Sequence, residues 1–176
     1  MTLSFRSARL TARVAETTDE PDIRAVFSAN APLLKLLDRE HDPEVLAARF
    51  VHRQNLPPQG HPSRLHNLIL EACESGRAVG LLSVYEGYPT RRIAYIGQLF
   101  LHPDVHGQGL GREIYLQLES LLRRCPLQVV RVGVALRNWN ALRFWTRLGF
   151  LRITGMSGDR HFAPEAHAFL ELQKNL

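Results

Sequence analysis

The chain has 176 residues, 45% of them hydrophobic, and a formal net charge of +5 at pH 7. This length is enough to bury a substantial core and too short for two ordinary domains, so we expect one globular domain over residues 1–176. The arginines are scattered among acids and are not interleaved with stacking aromatics, which makes a nucleic acid an unfavoured partner.

Hydrophobic periodicity predicts the elements of the fold in chain order. They are a strand near 5–14, helical segments near 21–37 and 43–52, strands at 66–73, 78–85 and 92–101, a helix from 110 to about 124, a strand at 128–136, a helix at 138–148, and strands at 150–154 and 167–173. Antiparallel strands followed by a strand-helix-strand crossover predict an α/β (α+β) fold with a mixed, mostly antiparallel sheet flanked by helices.

No segment carries the signals of a membrane or secreted protein. Apolar runs stay well short of the roughly 20 residues that span a bilayer, and MTLSFRSARL at the start lacks the long apolar core of a secretory signal. Cys73 and Cys125 are distant in sequence and lack metal-ligand spacing, which favours two buried thiols over a disulfide. We therefore expect a cytoplasmic protein with no membrane partner and no metal.

A glycine-rich loop lies between the strand at 92–101 and the following helix. In LHPDVHGQGLG, Leu101 to Gly111, the glycines Gly107, Gly109 and Gly111 alternate directly before an amphipathic helix. Main-chain N–H groups can converge there on an anion at the helix N-terminus, although a tight strand-to-helix turn would use the same residues. The spacing fits neither a Walker A loop, since no lysine follows, nor a G-x-G-x-x-G fingerprint.

A second motif follows the next strand. RNWNALRFWTRLGF, Arg137 to Phe150, offers Asn138 as a helix N-cap, an apolar helical stripe that includes Trp145, and Gly149 at the helix C-terminus.

Together the two motifs resemble the GCN5-related N-acetyltransferase superfamily. The first matches that family's acetyl-CoA loop, V-x-P-x-x-[RQ]-G-x-G-[IL]-G, except at Leu101 and His106, and the second has Trp145 where many members have tyrosine. The resemblance extends over roughly Ile93 to Phe150. Leu56 to Pro62 and Glu86 to Arg92 look like features of a bacterial branch of the family.

The resemblance implies a cofactor site and a mechanism. The pantetheine arm of acetyl-CoA would pair with main-chain groups of Leu99, Phe100 and Leu101, and an N–H near Phe100 would stabilise the oxyanion. Asn138 and Trp145 would lie beside the cofactor. The pyrophosphate would bind the amides of the loop, contributed by His106, Gly107, Gln108, Gly109, Leu110, Gly111 and Arg112.

The acid and the base are not evident. Where many family members have a carboxylate, this chain has Gly97 and Gln98, which cannot accept a proton at neutral pH. Glu86 and His102 are the nearby candidates for a base, although each also fits a structural role. Trp145 cannot act as an acid, but a CoA thiol with a pKa of about 8.5 can leave without a strong one.

The expected function is therefore acetyl transfer from acetyl-CoA to a primary amine of a small molecule, amino acid or peptide, directly within a ternary complex. The alternative is a non-catalytic acyl-CoA-binding module. Residues 21–52 and 55–64 are expected to shape the acceptor pocket, and the sequence leaves a homodimer open.

Overall fold

Eight strands form one continuous sheet. The structure is a computed structural model and describes residues 3–37, 41–161 and 163–176. Along the sheet the strands are ordered β1-β2-β3-β4-β5-β6-β8-β7, and the β5–β6 pair is the parallel one among the described strands. Their bounds are β1 Phe5–Arg6, β2 Leu10–Val14, β3 Leu65–Ala72, β4 Ala78–Glu86, β5 Ile93–Leu101, β6 Val129–Ala135, β7 Arg152–Gly158 and β8 Ala168–Asn175.

Helices flank this sheet, which confirms the predicted fold class. They are α1 Glu20–Ala29, α2 Ala31–Leu37, α3 Pro43–Val51, α4 Leu110–Leu122 and α5 Trp139–Arg147. Within the described ranges, none of them is long and apolar enough to cross a membrane. Residues 38–40, part of the stretch expected to shape the acceptor pocket, lie outside the described residues.

Two predicted elements are divided in the structure. The predicted strand at 5–14 is two antiparallel strands, β1 and β2, because the Ser7 hydroxyl donates to Leu10 O and accepts from Leu10 N at the turn. The predicted helix at 21–37 is interrupted at Asn30, where α1 ends. Pro32 has no N–H to continue the α1 hydrogen-bond ladder, so the chain starts a separate helix, α2.

Each face of the sheet buries its own apolar core. On one face, α4 and α5 cover alternate residues of the central strands, with Ile114, Leu118 and Trp145 packed onto a surface that includes Ile96. On the opposite face, α1 and α3 cover a second core that includes Phe27 and Phe100. Helical spacing predicts an apolar stripe on α4 made of Leu110, Ile114, Leu118, Leu121 and Leu122. The structure buries all of them except Leu121, which is half-buried.

An arginine on β2 fastens the start of α1 to the sheet. Arg13 Nη1 and Nη2 each donate to Asp19 at 2.7 Å, and Nη2 also lies 2.7 Å from Glu71 Oε1 on β3. Asp19 is 7% exposed. The hydrogen bonds from Arg13, opposed in part by burial, lower the pKa of the Asp19 carboxyl.

We expect Asp19→Asn to lower the free energy of unfolding by about 2 kcal/mol at pH 7, because it removes the charge of a buried carboxylate that accepts two hydrogen bonds from the partly exposed Arg13. The folded pKa of Asp19 lies below its unfolded value of about 3.9, so the parent loses this contribution as pH falls through the folded value. Urea unfolding at neutral and acid pH should show the difference between the two proteins shrinking below about pH 4. The control Asp22→Asn removes an exposed carboxylate from the same first turn and should cost less; equal costs for the two variants would contradict the assignment.

Candidate active site

The central feature of the site is a gap that opens between β5 and β6. The two strands pair in parallel from Ile93↔Val129 to Ile96↔Val132 and then separate. Beyond that point β5 stays with β4 and β6 stays with β8. We call the gap between residues 97–101 and 133–135 the β5–β6 cleft. It is part of a cavity of about 210 Å³ whose lining includes Gly97, Gln98, Leu99, Val134, Asn138 and Trp145.

A β-bulge marks the point where the cleft begins. Ser83 pairs with Gln98 and Val84 pairs with Ile96, so Gly97 is an additional residue on β5. The bulge changes which face the following side chains occupy. Ile96 lies in the core under α4, whereas Phe100, an even number of residues later, lies in the core under α1 and α3. Gln98 shares the face of Phe100 because it lies two residues before it.

The main chain of β5 presents alternate residues to the cleft. His102 N donates to Val79 O at 2.8 Å, so the two-residue period of an antiparallel pair turns the polar groups of Phe100 toward β4. The polar groups of Leu99 and Leu101 therefore face the cleft. Leu101 O is engaged by Asn30 Nδ2 at 3.1 Å. The same oxygen lies 2.9 Å from His106 Nε2. Among the described residues, no strand pairs with this edge of β5 beyond Ile96, so the N–H and C=O of Leu99 and the N–H of Leu101 can pair with a ligand.

The glycine loop lies at the far end of the cleft, where β5 leads to α4. Gly107 and Gly109 have φ of 74° and 78°, which side chains with a Cβ rarely adopt. A Cβ on Gly107 would meet nothing within 4 Å, and one on Gly109 would come no closer than 3.9 Å to Arg9 Nη2. Glu113 N makes a helical hydrogen bond to Gly109 O, so the amides just before it have no acceptor within the helix. The loop is therefore an open, amide-lined surface for an anion.

Gly111 has a different structural reason to be glycine. A Cβ at this position would lie 3.2 Å from Phe144 Cε2 on α5. The small residue lets α4 approach α5 closely, and the two helices pack together on the same face of the sheet.

The shape of the loop is fixed by Arg9, near the start of the chain, and by side chains of the loop and of α4. Arg9, in the β1–β2 turn, donates from Nη1 to Gln108 O at 3.0 Å and from Nε to Glu113 Oε2 at 2.8 Å. Gln108 Nε2 donates to Asp104 O at 3.1 Å. Because the side chains of Gln108 and His106 bond to the loop itself, the main-chain amides are the groups left to meet a phosphate. Arg9 gave no sequence signal, since it is remote from the motif.

Two residues of the second motif, Trp145 and Asn138, form one wall of the cleft. Trp145 is 5% exposed, with its ring centroid 5.7 Å from that of Tyr115 and 5.0 Å from that of Phe150. Asn138 acts as the predicted N-cap of α5, since its side chain accepts a hydrogen bond from Ala141 N at 3.0 Å. Both residues contact the cavity from the α5 side.

The candidate bases lie in different environments. Glu86 is two residues after Val84, which belongs to the core under α4, so its side chain points to that face. Its Oε1 lies 2.7 Å from His66 Nε2, and burial lowers the pKa of His66 although the Glu86 charge opposes this. His102 Nδ1 accepts from Asp104 N in the turn after β5. The structure thus brings Gln98 to the cleft and does not bring Glu86 there.

Gln98 presents an acceptor without a partner. Its Oε1 is shielded from solvent and receives no hydrogen bond from the described residues. Its side chain lines the cavity next to the bulge at Gly97. A ligand N–H in the cleft would satisfy it.

The two cysteines of the chain, Cys73 and Cys125, are half-buried and are not joined in a disulfide.

Comparison with known proteins adds a family match and a shared fold. Residues 30–150 match the model of the family described as Acetyltransferase (GNAT) family. An uncharacterised N-acetyltransferase of Methanocaldococcus jannaschii is 28% identical over 83 residues, which are 44% of this chain and 37% of that protein's length.

Two solved structures illustrate the shared fold. A ribosomal L7/L12 α-N-protein acetyltransferase in complex with coenzyme A superimposes with a TM-score of 0.77 at 16% identity, covering 99% of this chain and 98% of that chain. A spermidine N-acetyltransferase from Vibrio cholerae, in complex with CoA and spermine, gives a TM-score of 0.70 at 18% identity, covering 94% of this chain and 95% of that chain.

We expect Gly109→Val to weaken CoA binding at least tenfold, because a branched side chain would project from the amide-lined surface and its φ would no longer be tolerated. Gly76→Val is the matched control. Gly76 also has positive φ, at 67°, and open space around it, but lies in the β3–β4 turn. Calorimetry with CoA and thermal melts should show both variants destabilised and only Gly109→Val impaired in binding. Parent-like affinity in Gly109→Val would mean that the anion site is elsewhere.

Proposed function

Because the chain belongs to the acetyltransferase (GNAT) family, we propose that it transfers an acetyl group from acetyl-CoA to a primary amine within a ternary complex. The observation that carries this proposal is the continuity of the β5–β6 cleft. It begins at the bulge of Gly97 and runs along β5 toward the glycine loop at the N-terminus of α4. An anion site and an opening through the sheet are thereby joined by one strand edge with free polar groups.

The residues of the cleft fit acetyl-CoA in three respects. The glycine loop offers amides and the α4 N-terminus to the pyrophosphate, with no Cβ on Gly107 or Gly109 to obstruct it. The cleft-facing groups of Leu99 and Leu101 suit the amides of a pantetheine arm. Trp145 and Asn138 form the wall on the α5 side.

The chemistry requires the amine to lose a proton before it attacks. A primary amine has a pKa of about 10.4, so it arrives mainly as the ammonium ion at neutral pH. After one proton passes to solvent, the amine nitrogen attacks the thioester carbonyl carbon, and a cleft-facing N–H of Leu99 or Leu101 stabilises the oxyanion. The carbon–sulfur bond then breaks, nitrogen releases a second proton, and the sulfur takes one up to give the CoA thiol.

Orientation supplies much of the rate in this scheme. Gln98 cannot take a proton, but its shielded Oε1 can accept a hydrogen bond from the attacking nitrogen and hold it toward the carbonyl carbon. Trp145 packs among Tyr115, Phe144 and Phe150 and serves as a wall. The thiol needs no strong acid, because its pKa is only about 8.5.

A screen of primary amines for acetyl-CoA-dependent release of CoA thiol tests the proposal. The parent should acetylate at least one amine in the panel, detected by mass spectrometry of the product, and Gly109→Val should lose that activity through weaker cofactor binding. If the parent binds acetyl-CoA tightly and acetylates none of them, the non-catalytic acyl-CoA-binding alternative is favoured. This alternative is supported by the absence of a carboxylate at positions 97 and 98, where many members of the family have one.

We expect Glu86→Gln to leave kcat within about twofold of the parent, because the side chain faces α4 and an amide can still hydrogen-bond to His66. Any effect should appear in the melting temperature. Steady-state kinetics with the amine found in the screen, alongside CoA binding, provide the measurement. A fall in kcat of a hundredfold or more with unchanged folding and CoA affinity would instead identify Glu86 as the base.

A further inference from the structure

A polar cluster lies where the cleft opens onto the face of the sheet opposite α4. Glu171 on β8 is the register partner of Gly133, the first residue of β6 beyond the segment paired with β5. Tyr95 on β5 reaches the same glycine, since a Cβ on Gly133 would lie 2.9 Å from Tyr95 Oη. Glu171, Gly133 and Tyr95 thus lie side by side at the point where β5 and β6 separate.

This cluster borders a second cavity that continues from the first. Gly97, Gly133 and Phe169 contribute to both cavities, and Tyr95 and Glu171 line the outer one. Met156 on β7 and Phe169 on β8 add apolar surface there. A molecule in the outer cavity therefore meets the Glu171 carboxylate and the bulge at Gly97 in the same space.

The Glu171 carboxylate is held by one of its oxygens. Arg131 Nη1 donates to Oε1 at 2.8 Å, and the Thr154 hydroxyl donates to the same oxygen. Within the described part of the chain, no donor bonds to Oε2. Arg131 also hydrogen-bonds away from the cleft, because its Nε donates to Gln173 Oε1 at 2.8 Å. Gln173 lies two residues beyond Glu171 on β8, on the side away from the opening. The bonds on Oε1 orient the carboxylate, and Oε2 keeps its capacity to accept.

The Tyr95 hydroxyl remains protonated beside this carboxylate. Burial, together with the negative charge of Glu171, raises the pKa of Tyr95 to about 12. Its ring contacts Tyr88 edge to face, with 5.6 Å between centroids, so the hydroxyl is carried on a packed aromatic pair. An ammonium group next to Oε2 would find a carboxylate acceptor, a hydroxyl oxygen and aromatic surface together.

We propose that Glu171 and Tyr95 form the subsite that receives the ammonium group of the acceptor, and that the acceptor is an organic cation with an apolar carbon chain next to its amine. This inference rests on the proposed acetyl transfer, whose acceptor it specifies. Glu171 attracts and orients the ammonium ion at the mouth of the cleft, in the cavity that Gly97 also lines. The apolar lining of Met156 and Phe169 accommodates the adjoining chain.

The test uses n-hexylamine as the probe and 1-hexanol as its uncharged counterpart. Binding to the protein–CoA complex is measured by ligand-observed NMR for the parent, Glu171→Gln and Tyr95→Phe. Glu171→Gln keeps the shape of the side chain and can still accept from Arg131, but it removes the charge. The control Glu74→Gln removes one exposed carboxylate from the distant β3–β4 turn. Thermal melts and CoA affinity are recorded for every protein.

We expect Glu171→Gln to weaken hexylammonium binding about tenfold and Tyr95→Phe about threefold, as for loss of a charge-assisted and of a neutral hydrogen bond. Binding of 1-hexanol should not differ between parent and Glu171→Gln, and Glu74→Gln should match the parent. In turnover with hexylamine and acetyl-CoA, Glu171→Gln should raise KM for the amine and leave KM for acetyl-CoA unchanged. If Glu171→Gln is too unstable to measure, Tyr95→Phe decides the matter.

The two proposals can fail separately. Equal hexylammonium affinity in the parent, Glu171→Gln and Tyr95→Phe, or no binding to the parent, would overturn the subsite, even if the amine screen finds activity elsewhere. Binding that depends on Glu171 without acetylation of any amine would support the subsite and count against acetyl transfer.

Discussion

The separation of β5 from β6 after Ile96 and Val132 is the constraint on which the candidate site depends. Inside a sheet, main-chain N–H and C=O groups are normally consumed by the neighbouring strand. Here two strands that start as a parallel pair separate, so the main-chain N–H and C=O groups of β5 at Leu99 and Leu101 that face the cleft are not used by β6. The cleft through the sheet and its free strand edge therefore have the same origin.

Several contacts keep this opening in place. β5 continues to pair with β4 and β6 with β8, so each strand is supported on the side away from the cleft. The apolar cores on the two faces hold the strands from above and below. Asn30 adds a direct tie, because its buried side chain bonds to Val26 O at the end of α1 and to Leu101 O at the end of β5.

Charged groups are used in two different ways around the cleft. At the glycine loop, Arg9 pairs with Glu113 and hydrogen-bonds to Gln108 O, so it stabilises the loop and leaves the main-chain amides as the groups proposed to meet an anion. At the opposite end, Arg131 donates to one oxygen of Glu171, whose side chain borders the outer cavity. The positive groups thus serve to position, and the groups proposed to meet ligands are amides at one end and a carboxylate at the other.

The sequence determined the elements that depend on local chemistry. The glycine spacing predicted the loop, helical periodicity predicted the buried side of α4, and Asn138 predicted the start of α5, because turns, caps and amphipathic stripes are encoded within a few residues. Boundaries were accurate to a few residues except where Ser7 and Asn30 interrupt an element.

What only the tertiary structure decided is which side chains meet at the cleft. The bulge at Gly97 breaks the two-residue period of β5, so Gln98 lies on the face of Tyr95 and not on that of Ile96. The sequence pattern of β5 does not predict this bulge. Glu86 lies near the motif in sequence but points to the other face, whereas Arg9 and Glu171 are remote in sequence and lie at the two ends of the cleft. Pairing between distant strands sets these neighbours, and that pairing depends on how the whole sheet packs against its helices.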